Sequence, residues 1–212
     1  MNEKFFDLKK EKQDRMINAA LKVFALNGYR HASTDDIVRE AAISKGLLFH
    51  YFGSKLGVYG FVYDYGVRYL LLELSTTVDA KETDLFTLMQ QIETGKMHAM
   101  CGYPYLQPFL NRAQAENVSE ALLAVEERKQ QLEETLENIY ARADLGKYAA
   151  GEDVAKLRKM LELTIKGLMN ERILEDAFQP EMLYEEILEY LQLSRRLAEG
   201  STQPSEEITK AK

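Results

Sequence analysis

Cysteine, glycine and proline are scarce in this sequence of 212 residues. Its single cysteine, Cys101, excludes a disulfide within the chain and is typical of a protein in a reducing compartment. Only 12 glycines and 4 prolines occur, whereas alanine, leucine, glutamate, lysine and methionine are abundant. These abundant residue types favour helices, and the composition argues against a β-sandwich or barrel. We therefore expect an all-α protein.

The sequence also lacks long apolar runs. No stretch approaches the roughly 18 consecutive apolar residues of a transmembrane helix. No basic start leads into an apolar segment, as it would in a signal peptide. We therefore expect a soluble, cytoplasmic protein without a membrane partner. Hydrophobic residues still make up 46% of the chain, which is enough for a packed core.

Negative charge predominates overall, but not at the N-terminus. The formal net charge is −7. Residues 1–55 hold ten Lys and Arg against seven Asp and Glu, a net charge of +3, so the rest of the chain carries −10. A mildly basic segment joined to an acidic body is the distribution expected of a modular DNA-binding protein.

The spacing of apolar side chains predicts three helices in the N-terminal segment. The first covers residues 9–27 and ends at Gly28, because glycine readily adopts the left-handed conformation common after a helix. Thr34 and the residues beside it supply the start of a second, short helix with Ile37 on its inner side. Ser44 is placed to cap a third, which runs from Lys45 to about residue 52.

The rest of the chain is also predicted to be helical. Further helices are expected over residues 56–77, 83–100, 104–116, 118–144, 153–177 and 181–198. This pattern predicts a helix-turn-helix domain at 1–55, a larger helical domain at 56–200 and a disordered tail at 201–212.

Two short helices joined by a three-residue turn, behind a supporting helix, are the layout of a helix-turn-helix. Lys45 and Gly46 lie at the N-terminus of the second short helix, where backbone N–H groups favour phosphate. Leu48 and Phe52 are spaced to face the supporting helices. The side chains between them then remain near the DNA groove.

The segment FALNGYRHASTDDIVREAAISKGLLFHYFGSKLGVY, residues 24–59, resembles the N-terminal domain of the TetR family of transcriptional regulators. It has the Gly-Tyr that ends a helix, the Ser-Thr pair, Ser-Lys-Gly, His-Tyr-Phe and Ser-Lys. The resemblance implies base contacts in the major groove from Lys45, Gly46 and Leu47. It further implies a cap at Ser44 and phosphate contacts from Thr34, His50, Tyr51 and Lys55.

The segment departs from the family pattern at two residues. Phe49 stands where the family usually has tyrosine, so a phosphate hydrogen bond is lost and contact with a thymine methyl or sugar is left. Leu47 replaces a commonly polar residue, and we hypothesise that it contacts a thymine methyl. Simpler roles stay open: His50 as an ordinary histidine, Lys55 as a solvated lysine, and residues 49–52 as core.

The resemblance implies that the remaining helices dimerise and bind a small molecule. Apolar stripes on the last two helices predict a four-helix bundle between two copies of the chain. The predicted interface residues are Leu157, Leu161, Ile165, Leu168, Leu183, Ile187 and Leu191. The alternative is that these stripes pack within their own subunit.

Methionine and aromatic side chains cluster around residues 89–109, which predicts an apolar cavity for a small apolar or aromatic effector. The candidate ligand-binding residues are Tyr59, Tyr63, Met89, Met97, Met100, Cys101, Tyr103, Tyr105, Phe109 and, for polar selectivity, Arg172 with Glu93. The alternative is ordinary core packing. The implied function is a repressor that the effector releases from operator DNA.

Two other function classes remain: a small enzyme and a helical interaction module. The sequence has no phosphate-binding loop, no Gly-x-Ser-x-Gly and no His/Cys set with the spacing of metal ligands. We therefore expect no catalytic activity, no cofactor and no metal ion. His98 and Cys101 are interpreted as packing, because no acid orients them. The charged helix at 118–144 is compatible with a coiled-coil arm but also with ordinary burial.

Overall fold

The computed structural model describes residues 3–148, 153–174 and 178–200. Within these ranges every regular element is a helix and no strand occurs, which confirms the predicted all-α class. The α-helices are α1 (Glu3–Phe6), α2 (Lys10–His31), α3 (Thr34–Ala41), α4 (Lys45–Phe52), α5 (Lys55–Thr77), α6 (Leu85–Gly102), α7 (Leu106–Gln114), α8 (Ser119–Tyr140), α9 (Asp153–Arg172) and α10 (Pro180–Ala198). The predicted tail, 201–212, lies outside the described residues.

The helices expected from the sequence are present, with three notable differences. The short α1 was not predicted. Gly28, with φ of 67° and ψ of 174°, interrupts α2 as expected, but one more turn follows to His31. The helix α8 ends at Tyr140, not at 144, because the Asp144 N–H donates to the Thr83 carbonyl at 2.8 Å and turns the chain toward α6.

A first hydrophobic core joins α1–α5 to parts of α6, α7 and α8. Phe24 of α2 meets Tyr59 of α5 edge to face at a centroid distance of 5.0 Å, and Tyr59 meets Phe109 of α7 at 5.4 Å. Packing therefore continues across the predicted domain boundary at residue 55. That boundary stays a prediction, since no break in the core marks it.

A second core lies between α6, α9 and α10. It contains all seven predicted interface residues: Leu161, Ile165, Leu183, Ile187 and Leu191 are buried, and Leu157 and Leu168 pack against them half-buried. Five of these side chains therefore fill the interior of their own subunit, as in the alternative of packing within it, and the choice of interface residues stays a prediction. The large apolar residues that α9, α10 and the turn after α9 leave exposed are Met160, Leu163, Leu174, Met182, Tyr190, Leu193 and Leu197.

In the described part of the chain, no helix is both long enough and apolar enough to cross a membrane.

Candidate nucleic-acid interface

Local capping forms the α3–turn–α4 unit. The Ser33 hydroxyl accepts from the Asp35 N–H at 3.1 Å, so Ser33, not Thr34, caps α3. Ala42 takes the left-handed conformation, φ 51° and ψ 52°, and ends α3. The Ser44 hydroxyl accepts from the Leu47 N–H at 3.2 Å and caps α4, as predicted. These caps fix the angle at which α4 leaves the turn.

One side of α4 is anchored in the first core. Leu48 is fully buried, as is Ile37 of α3. Phe52 is half-buried, with its ring 5.3 Å from Phe5 and 4.9 Å from Phe61. The prediction that Leu48 and Phe52 face the supporting helices is confirmed.

The other side of α4 faces outward. Lys45, Gly46 and His50 are exposed, while Leu47 and Phe49 are half-buried. A Cβ on Gly46 would have nothing within 4 Å, so packing inside the protein does not require glycine there. The surface around Gly46 is thus free for close approach by another molecule.

Lys45 and Tyr51, two of the predicted contact residues, interact with other side chains of the same chain. The Lys45 ammonium lies 2.8 Å from a carboxylate oxygen of Asp35, and both side chains are largely exposed. The Tyr51 ring is half-buried and lies 5.7 Å from Phe5 and 5.0 Å from His50. An exposed ion pair such as Lys45–Asp35 contributes little to stability, so exchanging Asp35 for a phosphate costs little.

Lys55 has a structural role that the sequence did not indicate. Its ammonium donates to the carbonyls of Tyr29, at 2.9 Å, of Ala32, at 3.2 Å, and of Arg30, at 3.4 Å. It also lies 4.5 Å from the centroid of the Tyr29 ring. An ammonium group has three N–H bonds, so a phosphate contact from Lys55 would have to replace one of these. The alternative of a merely solvated lysine is wrong.

A polar junction ties the end of α2 to the start of α8. The Glu116 carboxylate accepts from the N–H groups of Tyr29, Asn117 and Val118 at 2.9–3.1 Å. Burial alone raises the pKa of Glu116, but the backbone donors at Asn117, Tyr29 and Val118, with Arg112, outweigh it and hold the pKa below its usual value. The Tyr29 hydroxyl donates to Glu120 at 2.5 Å.

Sequence reasoning missed this junction because its partners lie far apart along the chain. An acid placed directly before the Asn117–Ser119 helix break was the one available signal, since carboxylates favour helix N-termini. Burial and the hydrogen bond to Glu120 raise the pKa of Tyr29 to about 12. The phenol therefore remains a hydrogen-bond donor at neutral pH.

The candidate ligand-binding residues do not come together in one cavity. Tyr59, Tyr63 and Phe109 are packed in the first core, whereas Met89 and Met100 are packed in the second. Large apolar side chains at helical spacing fill interiors, and these five are divided between two cores. The expected single apolar pocket was wrong for this set.

Of the other members of that set, Tyr103 belongs to the first core, Tyr105 packs against it, and the rest are spread over α6 and α9. The Tyr103 hydroxyl donates to Asp14 at 2.6 Å. The Lys22 ammonium lies 5.9 Å from the centroid of the Tyr105 ring. Arg172 pairs with Glu186 at 2.8 Å. The remaining two, Met97 and Cys101, lie in α6 with their sulfur atoms 3.6 Å apart, and Cys101 is exposed.

A cavity is present in a different place. It lies between α7, α8 and α9, with a volume of about 410 Å³, and a further space of about 50 Å³ adjoins it beside α6. Its lining mixes leucines with charged and amide side chains, in contrast to the apolar lining expected. No group of three His, Cys, Asp or Glu side chains in the described ranges is arranged to hold a metal ion.

The helix α4 is capped, buries one side and exposes the other, and packs against α3 and α5. This arrangement is typical of the helix-turn-helix class of DNA-binding proteins. Residues 16–59 match the family model described as bacterial regulatory proteins, tetR family. This match falls on the segment that carries the resemblance found in the sequence.

Curated relatives match over short segments. YuxN of Bacillus subtilis, described as an uncharacterized HTH-type transcriptional regulator, is 42% identical over 59 residues, which are 26% of this chain and 20% of YuxN. TtgW of Pseudomonas putida, described in the same words, is 41% identical over 49 residues, 23% of this chain and 37% of TtgW. The matches thus span well under two thirds of either relative.

Solved structures match over most of the chain. A TetR family transcriptional regulator from Chloroflexus aurantiacus is 24% identical, with a TM-score of 0.55 and 93% of each chain covered. The fatty acid degradation regulator FadR from Bacillus halodurans is 18% identical, with a TM-score of 0.59, 90% of this chain and 99% of FadR covered. At these identities the likeness concerns the fold.

Proposed function

We propose that this chain is a sequence-specific transcriptional regulator, acting in the cytoplasm as a repressor and not as an enzyme. The single observation that carries this is the outward side of α4, where Lys45, Gly46 and His50 are exposed above the buried Leu48. A basic, capped helix N-terminus with an unobstructed glycine suits entry into the major groove.

The proposal assigns a contact to each of these side chains, as the resemblance implies. Lys45, Gly46 and Leu47 meet base edges, while Thr34, His50 and Tyr51 meet phosphates, and Lys55 positions α5 behind them. Leu47 is half-buried, so only part of its side chain can meet a thymine methyl. A Leu47→Ala variant that kept the full preference at every A·T pair would contradict that contact.

The proposal includes a homodimer formed by α9 and α10. The two helices leave large apolar side chains exposed, among them Leu163 at 58% and Leu197 at 65%. Large apolar side chains left exposed in this number support an interaction site. Two copies meeting there form a four-helix bundle and hold two α4 helices at a fixed spacing for a two-fold symmetric operator.

Release by a small molecule is the remaining part of the proposal. A ligand releases the operator only if it binds the DNA-incompetent arrangement more tightly than the DNA-competent one. The cavity beside α7 supports such a coupling because α7 packs directly against α2 of the DNA-binding segment. If ligand and operator do not weaken each other's binding, the chain is not an inducible repressor.

Selection from a pool of random DNA duplexes tests the proposal. We expect enrichment of a two-fold symmetric sequence whose half-sites lie about 10–10.5 base pairs apart, or a multiple of that spacing. A helical interaction module or an enzyme would enrich nothing. Absence of any enriched sequence would contradict the proposed function.

A further inference from the structure

The cavity between α7, α8 and α9 has an apolar wall and a polar inner end. Leu70, Leu110, Leu132 and Leu136 line the larger space. Six side chains with charged or amide groups line the smaller inner space beside Ile165 and Met169: Glu93, Lys96, Gln107, Asn111, Glu162 and Lys166. A ligand that fills both spaces is therefore amphipathic.

The Gln107 amide at the inner end is only half satisfied. The residue is 7% exposed, and its Nε2 donates to the Asn111 carbonyl oxygen at 2.9 Å. The Asn111 side-chain nitrogen, Nδ2, donates in turn to the Met169 sulfur at 3.2 Å. The Gln107 carbonyl oxygen, Oε1, is buried and has no hydrogen-bond partner in the described part of the chain.

A buried carbonyl oxygen without a partner is unfavourable, and a bound hydrogen-bond donor relieves it. A carboxylate offers acceptors only, so it would face Gln107 Oε1 with like partial charge. The lysine at the inner end does not compensate, because the Lys96 ammonium is already paired with the buried Glu93 at 2.7 Å. The ammonium of Lys166, which also lines this space, donates one hydrogen bond to the Gln114 side-chain oxygen at 2.9 Å.

The charges around the cavity nearly balance, so they do not select for an anion. The lining carboxylates are Glu93, Glu133, Glu137 and Glu162, and the lining ammonium groups are Lys96, Lys159 and Lys166. Arg158 lies just behind, with its Nη1 3.8 Å from Glu137 and 3.6 Å from Glu162. Within the described ranges, Gln107 Oε1 and Arg158 Nη1 are both buried without a hydrogen-bond partner, but only Gln107 lines the cavity, so its carbonyl is the group that discriminates between ligands.

We propose that this cavity binds an amphipathic molecule with an N–H donor head group, an amine or an amide. The head group donates to Gln107 Oε1, and the apolar part packs against the leucines. The inference rests on the proposed function only in taking this ligand as the effector. The ligand class replaces the apolar or aromatic effector expected from the sequence.

The position of Gln107 connects the ligand to the DNA-binding segment. Gln107 belongs to α7, which packs against α2. On α7, Arg112 lies so close to Gly28 of α2 that a Cβ at Gly28 would be 3.1 Å from Arg112 Nε. A shift of α7 on ligand binding would therefore be transmitted through Arg112 to the end of α2.

The test is calorimetric titration of the full-length protein with three eight-carbon probes: octylammonium, octanamide and octanoate. We expect at least one N–H-headed probe to bind about tenfold more tightly than octanoate, the effect of one satisfied buried hydrogen bond. Whichever of octylammonium and octanamide binds more tightly shows whether the preferred head group is an amine or an amide. Octanoate binding as tightly as both, or more tightly, overturns the proposal.

Variants of Gln107 locate the effect. Gln107→Met keeps the length of the side chain and removes the acceptor, so the preference disappears, whereas Gln90→Met, the same change at an exposed site of α6, preserves it. If Gln107→Met fails to fold, Gln107→Glu retains an acceptor and is expected to keep the preference. A preference that survives in Gln107→Met, or is lost in Gln107→Glu, overturns the proposal.

These titrations contain no DNA. Their failure contradicts the ligand class and leaves the proposed DNA binding intact. Loss of sequence-selective DNA binding, in contrast, contradicts the proposed function and leaves the titrations unchanged.

Discussion

At the scale of single residues, Lys55 and Lys45 show how differently two neighbouring lysines are used. Lys55 donates to three backbone carbonyls at the end of α2 and thereby joins α2 to α5. Within the described part of the chain, the Lys45 ammonium makes only an exposed ion pair with Asp35. Both look alike in the sequence motif, because the motif does not show which carbonyls the fold brings near each ammonium group.

We predict that Lys55→Met lowers the free energy of unfolding by about 1–2 kcal/mol, because carbonyls of Tyr29 and Ala32 lose their donor. Urea unfolding followed by circular dichroism measures this. Lys45→Met is the matched control, and its unfolding midpoint is expected to stay within error. Equal midpoints for wild type and Lys55→Met would show that the three carbonyl bonds do not stabilise the fold.

We predict that Gly46→Ala weakens operator binding about tenfold, the equivalent of one specific contact, because the added methyl obstructs close approach to DNA. Stability is expected to stay constant or rise, since the methyl meets nothing within 4 Å. Thermal unfolding and fluorescence anisotropy measure the two quantities.

Gly57→Ala is the control for that pair of measurements. A Cβ at Gly57 would overlap the Phe52 carbonyl oxygen, so this variant is expected to lose stability where Gly46→Ala does not. Full operator affinity in Gly46→Ala would show that DNA does not approach α4 at Gly46.

At the scale of elements, the end of α2 is held from both sides. Lys55 of α5 binds its carbonyls, and Glu116, just before α8, accepts the Tyr29 N–H. The apolar spacing predicted which helices exist, because burial imposes the helical period on the sequence. Their ends depend on partners distant in the chain, such as Asp144 with Thr83, so the ends were less well predicted.

Glu116 should make stability depend on pH. Its pKa lies below its ordinary value of 4.5 in the folded protein, so its contribution is present above that value and is lost as the pH falls through the folded pKa. We predict that Glu116→Gln is less stable than wild type at pH 7 and that the difference shrinks below about pH 4.

Urea unfolding at a series of pH values measures this difference. Glu127→Gln, at an exposed position of α8, is the control and is expected to show no such trend. A difference between Glu116→Gln and wild type that stays constant down to acid pH would contradict the role of the Glu116 carboxylate.

At the scale of the whole molecule, the helices pack around two hydrophobic cores. The first core supports α1–α5, and the second joins α6 to α9 and α10. The sequence predicted the helical class and the helix-turn-helix, since local caps and periodicity encode both. It did not distinguish core residues from interface or cavity residues, because apolar residues at helical spacing serve all three.

We predict that the double variant Leu163→Glu, Leu197→Glu is monomeric, because charges replace apolar side chains on the exposed faces of α9 and α10. Light scattering at micromolar concentration gives the mass. Leu123→Glu alters an even more exposed leucine, on α8, and is expected to remain dimeric. A monomeric wild type would contradict the dimer itself.

The central claim is that α4 binds DNA with sequence preference. The most direct measurement is fluorescence anisotropy of the wild-type protein with the selected duplex and with a scrambled duplex of equal length, over a series of salt concentrations. We predict tighter binding to the selected duplex by about a thousandfold or more, and affinity that falls steeply with salt because phosphate contacts release counterions. Equal affinity for both duplexes, or no dependence on salt, would contradict the account.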